Sequence, residues 1–120
     1  MRIAVTSKED TLSAEVHPLF GRTKYFLLVD TETSAFEVVK NHQQFDLAQG
    51  AGIQTAQSLA RHQPQVVLTG NCGPQAFRTL QAAGIQVVVG VSGTVTAAIR
   101  AYLDGKLQPA AAANVEGHWV

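Results

Sequence analysis

The amino-acid sequence predicts an α/β fold in which a five-stranded mixed sheet, strand order 3-2-1-4-5, is flanked by three helices. Three observations lead there. Residues 1–40 alternate short β-branched and aromatic runs with polar turns, the pattern of a meander. From Asn41 onward small residues and helical spacing take over, interleaved with short apolar runs, as in crossovers that build a parallel sheet. The last two apolar runs each pass through a glycine-bearing turn into a helical pattern.

Taken in order, Arg2 to Thr6 reads as a short buried strand, and Ser7 to Pro18 as a long polar loop. That loop has few apolar anchors and is expected to be mobile without ligand. Tyr25 to Asp30 and Ala35 to Lys40 form a hairpin joined by Thr31-Glu32-Thr33-Ser34. A helix starts near Ala51 with Ile53, Ala56, Leu59 and Ala60 on one stripe, and Pro64 stops it. Val66 to Thr69 is the fourth strand, followed by Gly70-Asn71-Cys72-Gly73 and a helix carrying Ala76, Phe77, Leu80 and Ala83, with Gly84 as its C-terminal cap. Ile85 to Val89 is the fifth strand. Gly90-Val91-Ser92-Gly93-Thr94 then opens a helix on which Val95, Ala98, Ile99, Tyr102 and Leu103 share a face.

At 120 residues the chain fits one domain, placed at residues 1–107, with an Ala-rich tail at 108–120 that is either frayed or pinned by Trp119. Nine Lys and Arg balance nine Asp and Glu, so nothing suggests a sequence-independent grip on nucleic acid. No signal-like segment or bilayer-length apolar run occurs, and a cytoplasmic protein, monomeric or weakly dimeric, is expected. A single cysteine makes no intramolecular disulfide, and no Cys/His spacing suits a structural zinc site.

In a parallel sheet, ligands sit beyond the carboxyl ends of the strands at the topological switch point, here between the first and fourth strands. That rule gathers the loops Ser7 to Gly21, Gly70 to Gly73 and Gly90 to Gly93. Pro74 suits the first helical position, which makes Gly73 the cap and puts Cys72 beside the positive helix end, where a thiol ionises more easily. Cys72 is then a thiolate ligand or nucleophile facing a cleft, or else an inert buried filler. The Gly90 to Thr94 turn offers backbone N–H groups and the Ser92 and Thr94 hydroxyls to an anion, or is an ordinary turn capped by one of those hydroxyls. His17 suits a borderline metal and Arg22 an anionic cluster; the alternatives are a solvated loop histidine and a surface ion pair. His42, His62 and His118 share no spacing and read as solvated. No nucleophile elbow, P-loop or acidic cluster for paired magnesium ions is present, so catalysis is not indicated.

Phe20-Gly21-Arg22, Tyr25-Phe26, Val29-Asp30, Gly50-Ala51-Gly52, Val66-Val67, Gly70 with Gly73-Pro74, Ala83-Gly84-Ile85 and Gly93-Thr94-Val95 together resemble the dinitrogenase iron-molybdenum cofactor-binding family, that of NifX, NafY and the C-terminal part of NifB. The resemblance runs from Met1 to about Leu107. It implies a ribonuclease H-like fold and a non-catalytic carrier of an iron-molybdenum cofactor or an iron–sulfur precursor cluster, with cluster donor and acceptor proteins as partners. Members often place histidine directly before Phe-Gly-Arg, where this chain has Leu19, so the ligand role of His17 rests on local chemistry alone. The site expected is Cys72 and His17 toward metal, with Arg22, Gly70, Asn71, Gly73, Ser92, Gly93 and Thr94 shaping the cavity. The competing expectation is a regulatory or binding module for a small phosphorylated or carboxylated ligand, with Cys72 as packing only.

Overall fold

The computed structural model describes residues 1–41 and 51–114; Gly50, His42, His118 and Trp119, singled out above, lie outside them. Its elements are β1 (Arg2–Ser7), β2 (Tyr25–Asp30), β3 (Phe36–Lys40), α1 (Ala51–Ala60), β4 (Val66–Leu68), α2 (Pro74–Ala82), β5 (Gln86–Val88) and α3 (Val95–Leu103). The strands form one five-stranded sheet in the order β3-β2-β1-β4-β5. Central β1 pairs antiparallel with β2, Ile3 opposite Val29, and parallel with β4, Ile3 opposite Val66. This change of direction on either side of β1 is the switch point the sequence anticipates.

Both faces of the sheet are covered, which explains why β1 and β4 read as continuous apolar runs rather than alternating ones. On one face Ala4, Phe26, Leu28, Val67 and Val87 pack with Ala56 and Leu59 of α1 and with Ala76, Phe77 and Leu80 of α2. On the other, Ile3, Val5, Leu27, Val66, Leu68 and Val88 meet Val95 and Ala98 of α3. Removing each of the Val, Leu, Ile and Phe side chains from water contributes about 1.5–3 kcal/mol, so these two layers hold the frame. Gly84, at φ +79°, ends α2 in the left-handed conformation that glycine adopts without strain.

The expectation of a loosely held first loop is corrected. Val16 N–H donates to Gly93 O at 2.9 Å, Val95 N–H to Ala14 O at 2.9 Å and Thr96 N–H to Leu12 O at 3.1 Å. Val16 and Ala14 are also buried, so backbone pairing supplies the anchors that side-chain composition did not advertise. Nor is the described part of the tail unattached: Ala110 N–H donates to Val87 O at 2.7 Å, and Ala110 and Ala113 pack against the core beneath α1 and α2.

Candidate functional site

The three loops at the carboxyl ends of the parallel strands are fused by backbone hydrogen bonds. Asn71 N–H donates to Pro18 O at 2.7 Å and Phe20 N–H donates to Asn71 O at 3.0 Å, which locks the Phe20–Arg22 turn to the β4–α2 loop. The approach requires glycine at position 70: a Cβ there would lie 2.6 Å from Pro18 O. Gly90 N–H reaches Gly70 O at 2.7 Å, joining the β5–α3 loop to the same junction. Beneath it Thr6 Oγ1 lies 3.0 Å from Thr69 Oγ1 and 2.9 Å from His17 O, a buried hydroxyl pair at the ends of β1 and β4. Sequence reading missed this pair because threonine at a strand end carries no distinctive spacing.

His17 is half-buried, and its Nδ1 accepts a hydrogen bond from Leu19 N–H at 3.1 Å. That contact fixes the neutral tautomer with the proton on Nε2. Burial lowers its pKa from 6.5, and the positive charges of Lys8 and Lys24 act in the same direction. In this arrangement His17 is a neutral N–H donor; a metal bond would require it to give up Leu19 or shift its proton. Arg22 is half-buried at the end of the Phe20–Arg22 turn, on the same junction. Asn71, also half-buried, turns its side chain inward to donate to Pro18 O at 3.0 Å.

Cys72 departs from the cleft-facing thiolate expected above. Gly73 caps α2 and Pro74 stands at its start as anticipated. The side chain, however, is fully buried in the cluster that includes Phe20, Ala76 and Phe77, and its Sγ donates toward Gly73 O at 3.7 Å. Desolvation outweighs the helix-end potential and pushes the thiol from 9.0 up to about 12. The geometry is that of the inert filler. At the other turn, Thr94 Oγ1 accepts from Ala97 N–H at 3.1 Å and is the cap of α3, while Ser92 and Gly93 are exposed. Gly90 and Gly93, at φ +75° and +87°, give that turn its left-handed corners.

Asn114, which sequence reading left in the tail, belongs to this neighbourhood. Its Oδ1 accepts from Cys72 N–H at 2.8 Å, and its Nδ2 donates to Asn71 Oδ1 at 3.0 Å. Among the described residues no three or more His, Cys, Asp or Glu side chains converge to hold a metal ion. The polar groups at the junction are N–H groups, hydroxyls and the Arg22 guanidinium, donors of the kind that suit an anion.

Known proteins with the same architecture bring the arrangement into context. The apo form of the orange protein from Desulfovibrio gigas is 45% identical, covers 95% of this chain and 96% of its own, and superposes with a TM-score of 0.91. A candidate NifB protein from Thermotoga is 37% identical over 97% of this chain and 98% of its own, with a TM-score of 0.82. An uncharacterized protein of Methanocaldococcus jannaschii is 27% identical over 111 residues, 90% of either chain. The model of the family described as dinitrogenase iron-molybdenum cofactor matches residues 1–105, a span holding every junction residue named above except Asn114. The chain belongs to the dinitrogenase iron-molybdenum cofactor family.

Proposed function

We propose that this chain is a non-catalytic carrier of a preformed anionic metal–sulfur cluster, of iron-molybdenum cofactor or iron–sulfur precursor type, in cofactor assembly or delivery. The observation that carries this reading is the fused junction at the switch point, in a chain of this family. An all-protein iron–sulfur site ordinarily uses four cysteine ligands, and this chain has one cysteine, so it would receive a cluster and not build one. Arg22, the Nε2–H of His17, the side chain of Asn71 and the exposed turn with Ser92 and Gly93 would meet the cluster's sulfur and oxygen atoms; Gly70, Gly73 and Thr94 would set the backbone around it. Holding by hydrogen bonds and charge suits cargo that has to be released to an acceptor protein. In this reading Cys72 supports the loop from below and is not the first contact.

Anaerobic purification followed by iron, molybdenum and acid-labile sulfide analysis, before and after incubation with preformed cluster, tests the proposal. Retention or uptake of cluster, weakened by Arg22→Ala, is the expected result. Protein that remains free of metal and sulfide under both conditions would refute it. The buried thiol also favours the second reading, a module for a small phosphorylated or carboxylated ligand in which Cys72 is packing only. Calorimetric titration with inorganic phosphate and a small dicarboxylate separates the two, because only the second reading expects saturable heat there in the absence of any cluster.

A further inference from the structure

The last described residues cross from β5 to the β4–α2 loop and end on Asn114. Four hydrogen bonds attach it: Cys72 N–H to Oδ1 at 2.8 Å, Nδ2 to Asn71 Oδ1 at 3.0 Å, Nδ2 to Gly70 O at 3.3 Å, and its own N–H to Cys72 O at 3.3 Å. The carboxamide oxygen thus occupies a backbone N–H just ahead of α2, in the loop that the proposed function gives to cargo. An oxygen or sulfur of an anionic ligand would seek the same donor.

We propose that residues 109–114 are an internal latch, in which Asn114 holds the hydrogen-bonding positions of the Gly70–Cys72 loop until cargo displaces it. The inference rests on the carrier reading above and adds a competing segment of the chain itself. Several features suit a latch better than a fixed strut. Asn114, Ala111 and Ala112 are exposed, and Ala110 and Ala113 are the segment's apolar anchors, both small and half-buried. Little apolar surface is lost when such a segment lifts, so the cost of opening lies mainly in its hydrogen bonds, those of Asn114 and that of Ala110 N–H to Val87 O. The segment also lies beyond residue 105, where the family match ends. A closed latch lowers apparent cargo affinity by the fraction of molecules that are open, and by linkage bound cargo must hold the latch open.

The full-length chain and its Asn114→Ala variant decide the matter, with a water-soluble synthetic iron–sulfur cubane as the probe. Without probe, amide exchange at Cys72 should accelerate on the order of tenfold or more in Asn114→Ala, while exchange in β1 and β4 stays unchanged. Probe affinity should rise on the order of tenfold in the variant, about the effect of one or two net hydrogen bonds. In the wild type, bound probe should speed trypsin cleavage after exposed Lys106, read by mass spectrometry. Faster exchange at Cys72 with unchanged or weaker probe binding would overturn the latch and leave the carrier reading intact. Failure of both chains to take up probe would remove the carrier reading and the latch with it. Unchanged exchange at Cys72 in the variant would show that Asn114 does not guard the loop in solution, whatever the probe does.

Discussion

The single thiol shows how burial and a helix end compete for one group. Cys72 lies beside the start of α2, yet it has no exposed surface and its thiol is pushed up to about 12. Alkylation of the native protein at neutral pH is therefore expected to be slow and to become fast only on unfolding; rapid labelling of the folded chain by iodoacetamide would contradict this. Cys72→Ser should destabilise more than Cys72→Ala, by about 1–3 kcal/mol in urea melts, if the new hydroxyl lacks a good partner. The sign of the pH effect follows from an acid whose folded pKa is raised. Its contribution is fully present below 9.0 and is lost as pH climbs from there toward about 12, because only the unfolded chain ionises easily in that window. His17 works at the opposite end. Its folded pKa is lowered from 6.5, so the unfolded chain takes the proton first, and stability should fall as pH drops below that value. Urea midpoints between pH 7 and pH 5 that decline in the wild type and less in His17→Gln are the expected result; identical slopes would assign the decline to other groups.

Most of the architecture is written in local pattern. The crossover strands, the stripe on each helix and the glycine at the end of α2 are short-range signals, and they yield the observed strand order. The gathering of the loops also followed, because the switch-point rule depends on topology alone. What stayed hidden depends on contacts between distant residues. Nothing in Ser7 to Pro18 announces that its backbone will pair with Gly93 and the first turn of α3, and nothing in an Ala-rich tail announces Asn114 over Cys72. The depth of Cys72 was illegible for the same reason: glycine neighbours mark a turn, not which side of it faces the core. Gly70 tests the loop junction directly. Gly70→Ala would set a methyl 2.6 Å from Pro18 O, a backbone atom that cannot swing aside. The variant should lose about 1–3 kcal/mol by overpacking, with exchange accelerating first at the amides of Asn71 and Phe20. Wild-type stability in Gly70→Ala would mean the two loops are not so closely joined.

At the scale of the whole molecule, the sheet sandwiched between α1 with α2 on one side and α3 on the other is the load path for the junction. Leu59 and Leu80 are fully buried, and truncating either to alanine should cost about 2–5 kcal/mol while leaving the junction's own residues in place. A variant so destabilised that still takes up cluster at low temperature would show that the core supports the site without contributing to it. The pairing of β1 with β4 has a further consequence, one of timing. Thr6 meets Thr69 across 63 positions of sequence, Asn71 reaches Pro18 across 53, and Thr96 reaches Leu12 across 84. Contacts so distant along the chain close late, because loop-closure entropy has to be overcome before they reward it. A polypeptide still emerging from the ribosome holds its first loop and hairpin but none of the partners that complete the junction. The junction is thus reserved for chains that have reached α3, and on the carrier reading an incomplete chain has no assembled place in which to hold a cluster.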